Sequence, residues 1–356
     1  MALSMRRPLV NLHVQLPKPV EIPQYVPTPL IPLPTQEVQQ VSDLEKLQVL
    51  GSGNGGTVYR VCHNKSSKVY ALKVIRGGAT DQVRQEIEIL RSCTDSPNIV
   101  QCHGVFEESF DDISILMEYV EAGSLDVLAK TLGSFSETII ANIAYQSLMG
   151  LDYLHSKKIV HRDIKPSNLL VTREMKVKIA DFGVSKIIKS SENACNGSVG
   201  TCAYMSPEKF DSDGKDYNVF AGDVWSLGLT LMELYIGHYP YMQPGKEAEN
   251  KSVIWEICFG EPPCMPEDAS EHFKDFIQRC LQKDWTKRWT VRQLLSHPFI
   301  IGARQKVGIG SIKLGTKREN SVRSIGEIGE LLERNLEFNK RSNVCLSKPL
   351  DKFVVT

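Results

Sequence analysis

The chain runs to 356 residues, 42% of them hydrophobic and 24% charged, the balance of an ordinary globular protein with ample core. Its 42 basic and 42 acidic side chains cancel, so no global field draws it to nucleic acid or an anionic membrane. Nine scattered cysteines, with no CxxC pair and no His/Cys cluster at metal spacing, predict reduced thiols in an intracellular protein.

Arg6 and Arg7 stand near the start, but Pro8, Asn11, His13, Gln15 and Pro17 interrupt any apolar signal segment. No uninterrupted apolar run reaches the roughly 18 residues of a membrane span. The expected setting is cytoplasmic or nuclear, with neither membrane nor nucleic acid as partner. The length admits two or three domains, or one large two-lobed domain.

Residues 1–43 form a first region, carrying Pro8, Pro17, Pro19, Pro23, Pro27, Pro29, Pro32 and Pro34. That density fixes φ and removes backbone donors, which predicts polyproline II or disorder. Within it, Arg6 and Arg7 precede an alternation of Val10, Leu12, Val14 and Leu16, which fall on one face of an extended chain. A basic pair followed by an apolar face suits docking into a partner's acid-flanked groove. A plain tail is the alternative.

A folded domain is expected over 44–300. Leu50, Gly51, Ser52, Gly53, Asn54, Gly55, Gly56, Thr57 and Val58 make a glycine-rich loop, a weak signal alone. A dinucleotide fingerprint needs a helix directly after the third glycine. Here a β-branched run, a turn at Asn64–Ser67 and a second strand over Val69–Ile75 follow instead. A glycine loop between strands, then a strand bearing Lys73, fits a flap over nucleotide phosphates, with Gly51, Gly53 and Gly56 allowing close backbone approach.

Asp81 to Arg91 reads as an amphipathic helix on Val83, Ile87 and Leu90. Glu86 lies on the inward stripe and Glu88 faces about 200° away at 100° per residue, so Glu86 is the expected partner of Lys73. Ile113–Val120 reads as a buried strand ending at a connection, where backbone groups of Glu118 and Val120 suit an adenine. The next helix packs Ile140, Ile143, Ala144, Ser147, Leu151 and Leu154 on one stripe.

Val160–Leu169 then sets an acid, a lysine two residues on and an asparagine five residues on. This spacing fits phosphoryl transfer to a hydroxyl: Asp163 takes the proton, Lys165 neutralises the moving phosphoryl group, and Asn168 holds magnesium. A hairpin of Leu169–Val171 with Val177–Ile179 delivers a second metal-binding acid, Asp181, in Asp181-Phe182-Gly183. Ser185–Ser198 is polar and reads as a flexible loop. Asp223 to Tyr235 is apolar nearly all round, a core helix whose buried Asp223 needs donors, for which amides of the Asp163 loop are suited. Arg288 is a candidate partner for Glu208.

These motifs, LGSGNGGTV, YALK, the Glu86 helix, HRDIKPSN, DFG, and SPE with DVWSLG, occur in the order found in eukaryotic protein kinases. The chain resembles that family over roughly residues 44–300. DFGVSKI, GTCAYMSPE and the basic–aliphatic amino terminus resemble the mitogen-activated protein kinase kinases, and GSGNGGTVYRV resembles their plant branch. The resemblance implies an α+β, bilobal kinase fold with a small β-rich lobe bearing one helix and a larger, mainly helical lobe. It implies ATP and Mg2+ as cofactors, with Lys73 on the α/β-phosphates, Met117 as gatekeeper, and Thr201 bonded to Asp163 and Lys165.

It further implies dual specificity: phosphorylation of Thr and Tyr in the T-x-Y loop of a downstream mitogen-activated protein kinase, docked through the Arg6–Leu16 segment. An upstream kinase kinase kinase would phosphorylate this chain's own loop. Here the sequence departs from the plant pattern, whose second acceptor stands two residues before V-G-T. That position is Gly197; Ser191 holds the first position and Ser198 sits one residue late. Ser191 and Ser198 are the candidate phosphosites, with Arg162 as the receiving cation. A serine/threonine kinase of a related branch, or a weakly active scaffold, are the alternatives. Residues 301–356 lie beyond the pattern as a C-terminal extension, partly helical or disordered, with Ser324–Lys340 reading as an amphipathic helix or a weakly ordered tail.

Overall fold

The structure, a computed structural model, describes residues 37–53, 55–107, 112–188, 201–210, 217–242, 250–307, 313–315 and 322–324. The docking residues Arg6, Arg7, Val10, Leu12, Val14 and Leu16 lie outside the described residues. So do Asn54, the loop positions Ser191, Gly197 and Ser198, and 325–340 of the expected last helix.

The β-branched and aromatic runs make a sheet. β1 (Leu44–Gly53), β2 (Gly56–His63) and β3 (Val69–Ile75) are followed by helix α1 (Asp81–Ser92), then β4 (Cys102–Glu107) and β5 (Ile113–Glu118). The five strands pair antiparallel in the order β1-β2-β3-β5-β4. Period-two alternation turns Val61, Tyr70, Leu72 and Leu116 into one buried cluster. β5 stops at Glu118, two residues short of the strand expected from sequence, and Tyr119 and Val120 lead out of the sheet.

The segment before β1 also joins this cluster. Val38 is only 3% exposed and packs with Leu44, Val61 and Tyr70. Glu37 Oε2 accepts from Tyr70 Oη at 2.9 Å and from Lys68 Nζ at 3.1 Å. Residues 37–43 thus belong to the folded lobe, although proline density upstream suggested an unstructured stretch through 43. Composition averaged over the region hides one apolar side chain with a place to go.

The second lobe is helical, with α2 (Leu125–Leu132), α3 (Glu137–Ser156), α4 (Val219–Ile236), α5 (Asn250–Phe259), α6 (Glu271–Cys280), α7 (Val291–Leu295) and α8 (Pro298–Val307). Between α3 and α4 run short ladders: β6 (Ile159–Val160) with β9 (Lys186–Ile187), and β7 (Leu169–Val171) with β8 (Val177–Ile179). The stripe Ile140, Ile143, Ala144, Ser147, Leu151 and Leu154 on α3 is buried throughout. α4 is long and apolar enough by length and composition to cross a membrane, though Asp223 and Glu233 interrupt its apolar run. It is 83% buried inside the protein, as a core helix is. α4 and α6 meet so closely at Gly228 that a Cβ there would sit 2.6 Å from Cβ of Cys280.

Arg288 donates from both terminal nitrogens to Glu208, at 2.7 and 3.0 Å, with the guanidinium fully buried. A two-pronged charged pair of this kind fixes geometry as well as adding stability. Ser324, expected to open a helix, instead ends β11 (Val322–Ser324), which pairs with β10 (Lys313–Gly315). The whole is an α+β bilobal fold: a sheet lobe with one helix above a larger helical lobe.

Candidate active site

β3 carries Lys73 opposite Val58 on one side and Ile115 on the other, which holds its stem in the sheet. Its Nζ lies 2.6 Å from Glu86 Oε1 and 3.2 Å from Asp181 Oδ1. Thr80 caps α1 through the Val83 amide and sets the helix phase, so Glu86 is buried while Glu88 is exposed. Burial works to lower the Lys73 pKa, but the Glu86 and Asp181 carboxylates outweigh it and the net shift is upward. Lys73 is therefore a fixed cation at neutral pH.

The glycine-rich hairpin lies over this cation. Leu50, Gly51, Ser52 and Gly53 end β1, while Thr57 and Val58 begin β2, with Ser52 Oγ and Thr57 Oγ1 3.1 Å apart across the turn. A Cβ on Gly51 or Gly53 would meet nothing, and one on Gly55 would reach to 3.5 Å from Lys73 Nζ. Gly56 has a different reason to be glycine. Its φ is +113°, and a Cβ would run into the Val74 carbonyl oxygen, so β2–β3 packing demands it rather than any ligand.

At the end of β5 Met117 is half-buried, and past it Val120 is buried. The Glu118 amide already donates to Gln101 O at 2.9 Å, and its side chain accepts from Gln101 N at 2.7 Å and Lys178 Nζ at 2.8 Å. Of its two backbone groups, the N–H is thus committed to the fold. This narrows what Glu118 can offer a base.

The second cluster is built on the loop after β6. Asp163 is 8% exposed, and its carboxylate meets three donors. Lys165 Nζ lies 2.8 Å from Oδ2, Asn168 Nδ2 donates to Oδ2 at 2.8 Å, and the Thr201 amide donates to Oδ1 at 3.0 Å. Lys165 also donates to Thr201 Oγ1 at 2.5 Å. Burial alone would raise the Asp163 pKa; Lys165 and Thr201 outweigh it and leave a carboxylate, the form able to take a proton. Asn168 Nδ2 is also held by the Asp163 carbonyl at 2.8 Å, so its amide oxygen is the group left to face a cation.

Asp181 stands at φ +64°, with 53% of its side chain exposed. Burial pushes its pKa up, but Lys73 outweighs that and the net shift is downward. Asn168 and Asp181 offer an amide oxygen and a carboxylate, hard donors of the kind Mg2+ takes together with phosphate and water. No cluster of three or more His, Cys, Asp or Glu at metal distance occurs among the described residues.

Three further groups brace this cluster, and two of them, Asp223 and Arg162, are already singled out by the sequence. Asp223, fully buried on α4, accepts from the amides of His161 at 3.0 Å and Arg162 at 2.8 Å, and lies 2.9 Å from His155 Nε2. His161 is fully buried and burial lowers its pKa, so the ring is neutral. Since the Asp163 amide donates to Nδ1 at 3.3 Å, the proton sits on Nε2, which donates to Ala180 O at 3.1 Å. Ala180 N donates in turn to Asn168 O at 2.9 Å, which ties the Asp163 loop to the strand that delivers Asp181. Arg162 donates from Nε to Val184 O at 2.5 Å and has φ +70°. A cavity of about 600 Å³ lies elsewhere, at the end of α4 beside Pro263 and Cys264, and none of the expected site residues lines it.

Comparison with known proteins agrees with this geometry. A protein kinase domain family matches residues 44–300. Mitogen-activated protein kinase kinase 9 of Arabidopsis thaliana is 52% identical over 265 residues, covering 72% of this chain and 84% of that protein. Mitogen-activated protein kinase kinase 7 of the same plant is 46% identical over 308 residues, covering 84% of this chain and 99% of that one. In the moss Physcomitrium patens, mitogen-activated protein kinase kinase 1c is 40% identical over 271 residues, covering 73% and 77%. The chain is a protein kinase and belongs to the mitogen-activated protein kinase kinases.

Proposed function

We propose that the chain is a dual-specificity kinase that uses Mg-ATP to phosphorylate the Thr and the Tyr of a T-x-Y loop in a mitogen-activated protein kinase. The carrying observation is the Asp163 carboxylate, ionised and held between Lys165, Asn168 and the Thr201 amide. In this reading Asp163 accepts the hydroxyl proton and Lys165 offsets charge on the transferring phosphoryl group. Lys73, held by Glu86, contacts the α/β-phosphates under the glycine-rich hairpin. Asn168 and Asp181 would hold magnesium, which when bound would supply positive charge against that developing on the phosphates. Met117, the Glu118 carbonyl and Val120 border the adenine. The names of these relatives support a mitogen-activated protein kinase as substrate. We infer that it docks through Arg6, Arg7, Val10, Leu12 and Val14, and that an upstream kinase acts at Ser191 or Ser198.

The test is phosphorylation of a kinase-inactive mitogen-activated protein kinase by the full chain, read by mass spectrometry on both loop residues. Phosphate on Thr and Tyr is expected, with kcat down roughly 10²–10⁴-fold for Asp163→Asn. Phosphate on one residue alone sinks dual specificity, and equal turnover by wild type and D163N sinks the catalytic assignment. Mass spectrometry of this chain's own loop after incubation with an upstream kinase separates three outcomes: phosphate at Ser191, at Ser198, or at neither.

A further inference from the structure

A lysine flanked by two core residues of a strand is expected on the solvent side. On β8, Val177 and Ile179 are fully buried and alternation turns Lys178 to the opposite face, yet Lys178 is only 9% exposed. Its Nζ lies 2.8 Å from Glu118 Oε1, at the end of β5 where the chain leaves the sheet. The same oxygen accepts from the Gln101 amide at 2.7 Å, and the Glu118 amide donates to Gln101 O at 2.9 Å. Phosphoryl transfer as assigned above uses neither Lys178 nor Gln101. Burying an ion pair costs desolvation of both charges, so stability alone is a poor reason for this one.

What the pair joins supplies a better reason. Glu118 borders the adenine end of the cleft, and Lys178 stands three residues before Asp181, the acid at the metal end. The segment leading into β4 is bonded to the same strand. The Val100 amide donates to Ile179 O at 3.0 Å, the Ile179 amide to Asn98 O at 2.8 Å, and Asn98 Nδ2 to Val177 O at 2.9 Å. Gln101 follows directly on this segment, so the contacts close a circuit from Glu118 through Gln101 to β8 and back through Lys178. A nucleotide would span the two ends that this circuit connects, its base at Glu118 and Val120 and its phosphates at Lys73 and Asp181. A ligand held at two points binds tightest when the distance between those points matches its own length.

We propose that Lys178 is a positioning residue for the nucleotide: its ion pair with Glu118 fixes the distance between the adenine edge and the metal-bearing Asp181. The inference rests on the reading of this cleft as a Mg-ATP site. Lys178 acts through Glu118 and β8 and not on the reacting atoms. It therefore governs affinity for a ligand that occupies both ends and is indifferent to one that occupies the adenine end alone.

The experiment compares the full chain with Lys178→Met by calorimetric titration of two ligands. One is Mg-AMP-PNP, a non-hydrolysable ATP analogue that occupies both ends; the other is adenosine, which has no phosphate. The expected result is about a tenfold rise in Kd for Mg-AMP-PNP, with Kd for adenosine unchanged. Tm falls as well, since the Glu118 carboxylate loses its cation, but a purely structural role would not separate the two ligands. Lys178→Met/Glu118→Gln leaves no charge buried alone and keeps an acceptor for the Gln101 amide. It should show the same split, and it carries the test where the single change unfolds the chain. An unchanged Kd for Mg-AMP-PNP in a folded variant overturns the proposal and leaves the pair a structural one. Equal weakening of both ligands also overturns it, since the damage is then local to the adenine edge. If wild type itself does not bind Mg-AMP-PNP, the nucleotide reading and this proposal fall together, an outcome the wild-type arm distinguishes from the others.

Discussion

Two aspartates of the larger lobe, Asp181 and Asp223, meet opposite surroundings. Asp223 is wholly buried, and its two oxygens are claimed by two loop amides and His155. Asp181 has half its side chain exposed, sits at a positive φ, and meets a lysine on one oxygen. A carboxylate with both oxygens taken by protein donors organises backbone, whereas one left open has capacity for a cation. The same contrast divides the glycines. Gly56 is closed in by Val74, and Gly51 faces empty space.

The contrast can be broken at several points. Asp181→Asn should lower kcat by roughly 10²–10³-fold, the scale of losing one transition-state electrostatic group, while leaving Tm within about 2 °C. A large Tm loss instead would place Asp181 with the structural acids. Asp223→Ala should act the other way round, leaving two amides and His155 without an acceptor at a cost of about 3 kcal/mol. At roughly 2–4 °C per kcal/mol, calorimetry should then show Tm about 10 °C lower.

The pH dependence of stability sharpens the pair further. His161 is kept neutral by burial, so below about pH 6.5 the unfolded chain binds a proton that the folded ring refuses. Stability from His161 is therefore lost as pH falls from there. Burial tends to raise the Asp223 pKa, but the His155 hydrogen bond and the Arg162 amide outweigh it and the net shift is downward. Its contribution is complete above the unfolded value of about 4 and disappears as pH falls through the folded one. Tm measured from pH 8 to 3 should accordingly decline in two stages. His161→Gln should flatten the upper stage and Asp223→Asn the lower; parallel curves for wild type and variants would refute the assignment.

The smallest effect concerns the hairpin. Gly56→Ala should destabilise by about 1–3 kcal/mol through the positive φ and the Val74 contact, and Gly51→Ala by well under about 1 kcal/mol. Chemical denaturation separates them, and equal costs would remove the distinction between closed and open glycines.

Much of this was legible because it is written in period and spacing. The 3.6-residue repeat puts Glu86 among Val83, Ile87 and Leu90, and the structure buries it beside Lys73 while Glu88 faces solvent. An acid inside an otherwise apolar α4 announces that donors must come to it, and the loop amides do. Contacts through the backbone leave no such trace. The Thr201 contact to Asp163 is expected from the family resemblance and not from side-chain patterns, and the Glu118 amide's commitment to Gln101 is legible in neither. His155 meets Asp223 across 68 residues, and nothing local to either marks the other. Val38 was lost for the opposite reason, a single apolar residue outvoted by surrounding prolines.

That anchored residue bears on the chain's upstream end. Glu37 and Val38 fasten the polypeptide to Lys68 and Tyr70 on the sheet lobe. Removing residues 37–43 would leave the Tyr70 hydroxyl without its acceptor and open the Val61, Tyr70, Leu72 and Leu116 cluster to water. A domain boundary drawn at the first strand would therefore cut into the core and not ahead of it.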